Sequence, residues 1–190
     1  MAREEPRIIR TLDDLDEDWL TAALDSSPVA SFSTESIGTG QMSESHRVTL
    51  TYAEAEGQGH DPATIVLKLA ASDTASRATG IGLGIYAREV RFYDELAPRI
   101  GGPLPSCALA LFDESEGWFT LLLEDAAGAQ PGDQIAGCSV AQARLAMHAL
   151  ARLHAPALGD PALAGSDWLN RPSPVNQALV AQLLPGFLER

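Results

Sequence analysis

The chain has 190 residues, nearly half apolar and a fifth charged, an ordinary balance for a globular protein with one good core or two small lobes. Acidic residues outnumber basic ones 26 to 13, giving a formal charge of −13. With no Lys/Arg cluster to release counterions, that balance excludes nonspecific nucleic-acid binding and disfavours an anionic membrane surface. No apolar run reaches the roughly 18 residues a bilayer span needs. The charged opening MAREEPRIIRTLDDLDEDWL has no apolar core and does not read as a signal peptide, so a cytoplasmic location is expected. Cys107 and Cys138 are far apart and read as two buried or half-buried free thiols, not a metal site or disulfide framework.

In chain order, residues 11–25 are expected to be helical. Thr11 can cap, Asp13, Asp14 and Asp16 suit a helix N-terminus, and Leu12, Leu15, Trp19, Leu20 and Leu24 make a stripe. A strand over 29–37 leads into GTGQMSES. A second strand, 46–53, alternates through Val48, Leu50 and Tyr52, and EAEGQGHDP is a polar turn. TIVLKLA, 64–70, is a third strand carrying one lysine. Residues 72–84 are small, polar and Gly-containing and read as a loop or frayed helix start. The run IYAREVRFYDELAP, 85–98, has helical periodicity. Strands at 106–112 and 118–124 form a hairpin around DESEG, and DAAGAQPGDQIAG is a linker. Ser139 caps a long helix, Val140–His154, stopped at Pro156. Short turns between neighbouring strands predict an α+β fold: a five-stranded antiparallel sheet with one helix packed on a face.

Three features carry chemistry. Gly38 and Gly40 sit between two strands, where glycine lets backbone approach phosphate oxygens, although such a pair also serves as a plain turn. It is neither a P-loop nor a dinucleotide-binding fingerprint, because no GKS/GKT follows and the next element is a strand. Lys68 lies in an apolar strand, where an ammonium needs an anion unless it snorkels from an edge. Glu89 lies in the stripe Ile85, Glu89, Phe92, Tyr93 and Leu96, expected to face the sheet, while Arg88, Arg91 and Asp94 look solvated. Glu89 could instead sit at the edge of the stripe, paired locally with Arg88 or another surface cation. Paired with each other beside a Gly turn, Lys68 and Glu89 match the plan of a protein-kinase N-lobe.

The segments IGTGQMSESHRV, TIVLKLA, YAREVRFYDELAP, FTLLLEDAAGAQPGDQIAG and ALARLHAP resemble the aminoglycoside phosphotransferase/choline kinase-like superfamily, nearest its ecdysteroid-kinase-like branch. The resemblance covers roughly residues 30–170. It implies a kinase-like fold that binds ATP and Mg²⁺ and phosphorylates a hydroxyl of a small molecule. By resemblance, Gly38, Gly40 and Ser43 belong to the phosphate loop, Lys68 meets the α- and β-phosphates, and Glu89 orients the lysine. The Glu124 carbonyl and Ala126 N–H would meet the adenine. The implied organisation is an N-lobe over 1–123, a hinge over 124–138 and a partial helical C-lobe over 139–190.

The family's catalytic His-Gly-Asp has no counterpart. None of His46, His60, His148 and His154 precedes Gly-Asp, Gly132-Asp133 and Gly159-Asp160 lack the accompanying Asn, and Asp167-Trp168 follows no buried strand. His148 and His154 are six apart, do not share a helix face, and read as packed or capping residues of a core helix. No catalytic residue or metal ligand is therefore assigned, and the chain is expected to be a fragment or truncated product whose exposed helix invites self-association. Two other readings stay open: an inactive nucleotide- or partner-binding module, and an unrelated α+β domain in which Lys68 and Glu89 form a structural ion pair.

Overall fold

The computed structural model describes residues 6–38, 40–53, 61–130, 132–133, 135–169, 177–178, 181–182 and 184–185. Most of the expected polar turn at 54–62, His60 and the final LPGFLER lie largely or wholly outside the described residues. Helix α1 spans Glu17–Leu24 and is followed by β1 (Val29–Ile37), β2 (Ser43–Tyr52) and β3 (Thr64–Ala70). Then come α2 (Thr74–Gly82), α3 (Ile85–Arg91), a π-helical turn Phe92–Leu96 and α4 (Ala97–Ile100). Strands β4 (Cys107–Phe112) and β5 (Phe119–Glu124) precede α5 (Val140–His154) and the short α6 (Pro161–Ala164). The strands make one antiparallel sheet in the order β1-β2-β3-β5-β4. The fold is α+β with the plan of a kinase-like N-lobe.

Period-two alternation divides the apolar residues between the two faces of the sheet. On one face Val48, Leu50, Ile65, Leu67, Leu69 and Leu122 pack against Ile9, Leu15, Trp19 and Leu20. On the other Ala70, Phe119, Leu121 and Leu123 pack against Tyr86 and Val90. The N-terminal segment is pinned at Thr120, whose fully buried hydroxyl oxygen accepts from Ile9 N–H at 2.8 Å and whose O–H donates to the Ile9 carbonyl at 3.1 Å.

Three elements differ from expectation. The N-terminal helix is broken, because its aspartates cap and do not propagate. Asp14 accepts from the amides of Arg10 and Thr11 around a 3₁₀ turn at Leu12–Asp14, and Asp16 starts α1 by accepting from Trp19 N–H at 2.7 Å. The stretch read as a loop or frayed helix start contains α2, so with α3 and α4 three helices and not one lie between β3 and β4. Asp73 caps α2 through Ser76 N–H at 2.7 Å, and Arg77 donates to the carbonyls of Ala71 and Ser72. Gly80 is buried there, since a Cβ would meet the Tyr86 ring at 2.5–2.9 Å. Helix α5 begins at the expected Ser139 cap, which forms a capping box with Gln142, but none of its residues is buried. His148 and His154 are both exposed on it, so neither is the packed histidine of a core helix.

Candidate functional site

The site is built where β1, β2, β3 and α3 meet. Between β1 and β2 the chain turns through Gly38, whose φ of +75° suits glycine. At Gly40 a Cβ would fall 2.5 Å from the Ser43 carbonyl oxygen, so only glycine fits. Ser43 is the first residue of β2, paired with Ala70, and so lies just beyond the turn. The turn is tethered to α3, because the Tyr86 hydroxyl donates to the Met42 carbonyl. Thr39 lies outside the described residues.

Lys68 is on β3 opposite Ser45 and Leu121, one residue after Leu67, which pairs with His46 and faces the other side of the sheet. Alternation sends Leu67 and Leu69 into the core under α1 and leaves Lys68 on the α3 side. Its Nζ lies 2.5 Å from Glu89 Oε1. The two side chains are 23 % and 24 % exposed, so the lysine is half-buried, not sealed in hydrocarbon as its strand implied. A pair in that position is dry enough for Coulomb attraction to matter and wet enough for each partner to keep some water.

Glu89 reaches the lysine from the stripe expected to face the sheet, whose Ile85 and Tyr93 pack on the sheet cluster. Tyr86 and Val90 are the buried residues of α3, with Tyr93 packed on the same cluster, and Glu89 sits at the margin of that stripe. The expected face was drawn with continuous α-helical spacing. The wide turn at Phe92–Leu96 departs from that spacing, yet Leu96 is buried as the stripe expected. Arg88 is not a solvated charge either: it donates back to the carbonyls of Gly84, at 3.1 Å, and Leu83. Arg91 pairs with Glu95 at 2.6 Å on the surface.

At the end of β5 the Glu124 side chain turns aside, accepting from Ser106 N–H and Oγ–H at 3.0 Å each. Ala126 is exposed. Between them Asp125 accepts from Arg47 of β2, Nε–Oδ2 at 2.6 Å and Nη2–Oδ1 at 3.3 Å, while Arg47 Nη1 donates to Glu35 of β1 at 2.6 Å. The Arg47 guanidinium holds the Asp125 carboxyl below its ordinary 3.8, and Asp125 with Glu35 raises the already high value of the arginine. Sequence reasoning passed over both residues. The available signal was a charged position one before Val48, on the face that alternation assigns to Lys68.

The remaining aspartates in Gly-Asp pairs have structural tasks. Asp133 accepts from the amides of Ile135 and Ala136 at 2.8 and 3.0 Å. Asp160 caps α6 through Ala162 N–H and pairs with Arg99 at 3.0 Å. Among the described residues no group of three or more His, Cys, Asp or Glu could hold a metal ion. Cys107 is half-buried, and burial pushes its thiol up to about 11, whereas Cys138 is exposed and not buried as expected. No helix among the described residues is long and apolar enough to cross a membrane.

A model of the ecdysteroid kinase-like family matches residues 38–159, more than half of the chain, from the first glycine of the turn through α5. No curated protein matches the chain.

Proposed function

This chain belongs to the ecdysteroid kinase-like family, and on that footing we propose that it carries the nucleotide-binding part of an ATP-dependent phosphotransferase acting on a small-molecule hydroxyl. Kinase-like phosphotransfer is the activity the family implies. The observation that carries the finer reading is the Lys68–Glu89 pair at 2.5 Å, beside a turn whose two glycines open its backbone. An ammonium held by a carboxylate at a glycine turn fits phosphate: the lysine supplies charge, and Gly38 and Gly40 let backbone N–H groups approach without a side chain of their own in the way. Gly38, Gly40 and Ser43 would border the phosphates and Lys68 would meet them. The Glu124 carbonyl and Ala126 N–H would meet the adenine edge. Mg²⁺ would be required for transfer, and no ligands for it are assigned among the described residues.

We expect residues 1–190 to bind ATP without transferring its phosphoryl group. The two aspartates that follow a glycine, Asp133 and Asp160, are committed to capping, so neither is free to orient a hydroxyl nucleophile. That commitment also favours a second reading, an inactive nucleotide- or partner-binding module. Calorimetric titration with ATP, with and without Mg²⁺, tests the first step, and absence of any binding sinks both nucleotide readings. Steady phosphoryl transfer to an alcohol, abolished by a carboxylate substitution within the chain, would overturn the inactivity.

Glu89→Gln is expected to weaken ATP binding about three- to tenfold, less than loss of the lysine, because it disturbs the placement of the ammonium and not the phosphate contact. An E89Q effect as large as that of a lysine substitution would contradict this order. The exposed Val140, Leu145, Met147 and Leu150 of α5 form an uncovered apolar surface. The chain is accordingly expected to bind a hydrophobic dye and self-associate with rising concentration. Sedimentation as a monomer at high concentration, with no dye enhancement, would count against it.

A further inference from the structure

The cross-strand register sets Glu35 of β1, Arg47 of β2, Val66 of β3 and Leu123 of β5 in one row across the sheet. Ser45, Lys68 and Leu121 form the next row on the same face, two residues along each strand. Arg47 therefore shares the face of Lys68 and lies toward the end of β5. Its guanidinium spans β3 to grip Asp125 with two nitrogens, at 2.6 and 3.3 Å, and uses the third on Glu35 at 2.6 Å. With all three nitrogens engaged, the planar group has one orientation. The Asp125 side chain is only 3 % exposed, although Glu124 and Ala126 on either side are exposed. A carboxylate buried so far at the mouth of a Gly/Pro-rich linker would be unfavourable without its cation.

We propose that Glu35, Arg47 and Asp125 form a latch that fixes the backbone at 124–126, making Arg47 a positioning residue for the base end of the nucleotide site. The fixing of the backbone stands on the geometry alone; its role toward the base rests on the nucleotide reading above. Because β2 also begins at the glycine turn, the latch ties the segment facing phosphate to the segment facing the base through one strand. A lysine cannot replace the arginine, since a single ammonium cannot bridge both carboxylates in the plane of the fork.

The test uses the full 190-residue chain with Arg47→Met, Arg47→Lys and Asp125→Asn. Without any ligand, R47M and D125N are expected to speed amide hydrogen exchange over 124–130 about tenfold or more, with β5 residues 119–123 unchanged, and R47K to restore protection only in part. In titrations, R47M is expected to weaken ATP about tenfold and leave inorganic tripolyphosphate, which has no base, unaffected. Unchanged exchange over 124–130 in both R47M and D125N overturns the latch. Equal weakening of ATP and tripolyphosphate overturns the positioning role, since Arg47 would then act as a general cation. If the unmodified chain binds neither ligand, the nucleotide reading and the positioning role fall together, and the exchange result alone decides the latch. If R47M does not fold, D125N, which keeps the side-chain size and leaves Arg47 its bond to Glu35, decides both points.

Discussion

Lys68→Met is expected to raise the dissociation constant for ATP by roughly 10- to 100-fold while the fold stands. A charge-assisted hydrogen bond is worth about 1.5–3 kcal/mol, and about 1.4 kcal/mol corresponds to a factor of ten. The fold survives because the pair is not sealed. Glu89 keeps 24 % of its side-chain surface in water, so the carboxylate left behind is hydrated where a fully buried one would not be. Methionine also fills the aliphatic path of the lysine along β3. The stability change should stay within about 1 kcal/mol. Calorimetry gives the affinity and urea unfolding the stability. Since both residues serve one function, K68M combined with E89Q should bind no worse than K68M alone. An unchanged ATP affinity in K68M would remove the basis for the nucleotide reading.

Tyr86→Ala is expected to produce the largest loss of stability of any single change considered, about 3–5 kcal/mol in urea unfolding. The ring is 1 % exposed, lies 4.6 Å from the Phe119 ring centroid at 31°, and rests on Gly80. Truncation opens a cavity between α2, α3 and β5 that rigid strands cannot collapse to fill. It also deprives the Met42 carbonyl of its donor and the Ala71 N–H of an acceptor. Tyr86→Phe separates the two contributions: the packing stays, and about 1 kcal/mol is lost with the hydroxyl. Because that hydroxyl tethers the glycine turn, Y86F should loosen the turn at small cost to the fold. Gly80→Val attacks the same contact from the other side by forcing the ring away. A Y86A cost below about 1 kcal/mol would mean that the ring does not hold these elements together.

How much of this was legible in the sequence depended on how local each determinant is. Strands β1 and β3 and helix α5 occur with the expected bounds, because apolar alternation and a Ser139 capping box are written into the segments themselves. Lys68 and Glu89 stood out because each is a charge in an apolar pattern, and pairing them needed no knowledge of register. Helix α2 was legible only as a loop or frayed helix start: TASRATGIG has no apolar stripe and is held by a cap, by Arg77 and by contact with a tyrosine six residues past Gly80. The stripe expected on α3 turned Ile85, Tyr93 and Leu96 inward and Glu89 to Lys68, but left out Tyr86 and Val90, which are its buried centre. Arg47 and Asp125 are 78 residues apart and look like ordinary surface charges until the order β2-β3-β5 brings them together.

The strand order has a consequence for how the chain comes into being. Strand β5 is made last yet lies inside the sheet, between β3 and β4, and β4 has no other neighbour. As the chain is synthesised, β3 therefore waits with an unpaired edge, and β4 emerges with nothing to pair with. Ile9 waits longer still, since Thr120 follows it by 111 residues, roughly 6–20 s at ordinary rates of translation. The β4–β5 hairpin ends all three delays together. Its insertion covers both edges, pins the N-terminal segment at Thr120 and brings Asp125 to Arg47. A nascent chain stalled before Phe119 would offer bare strand edges to its neighbours, and six more residues would close them.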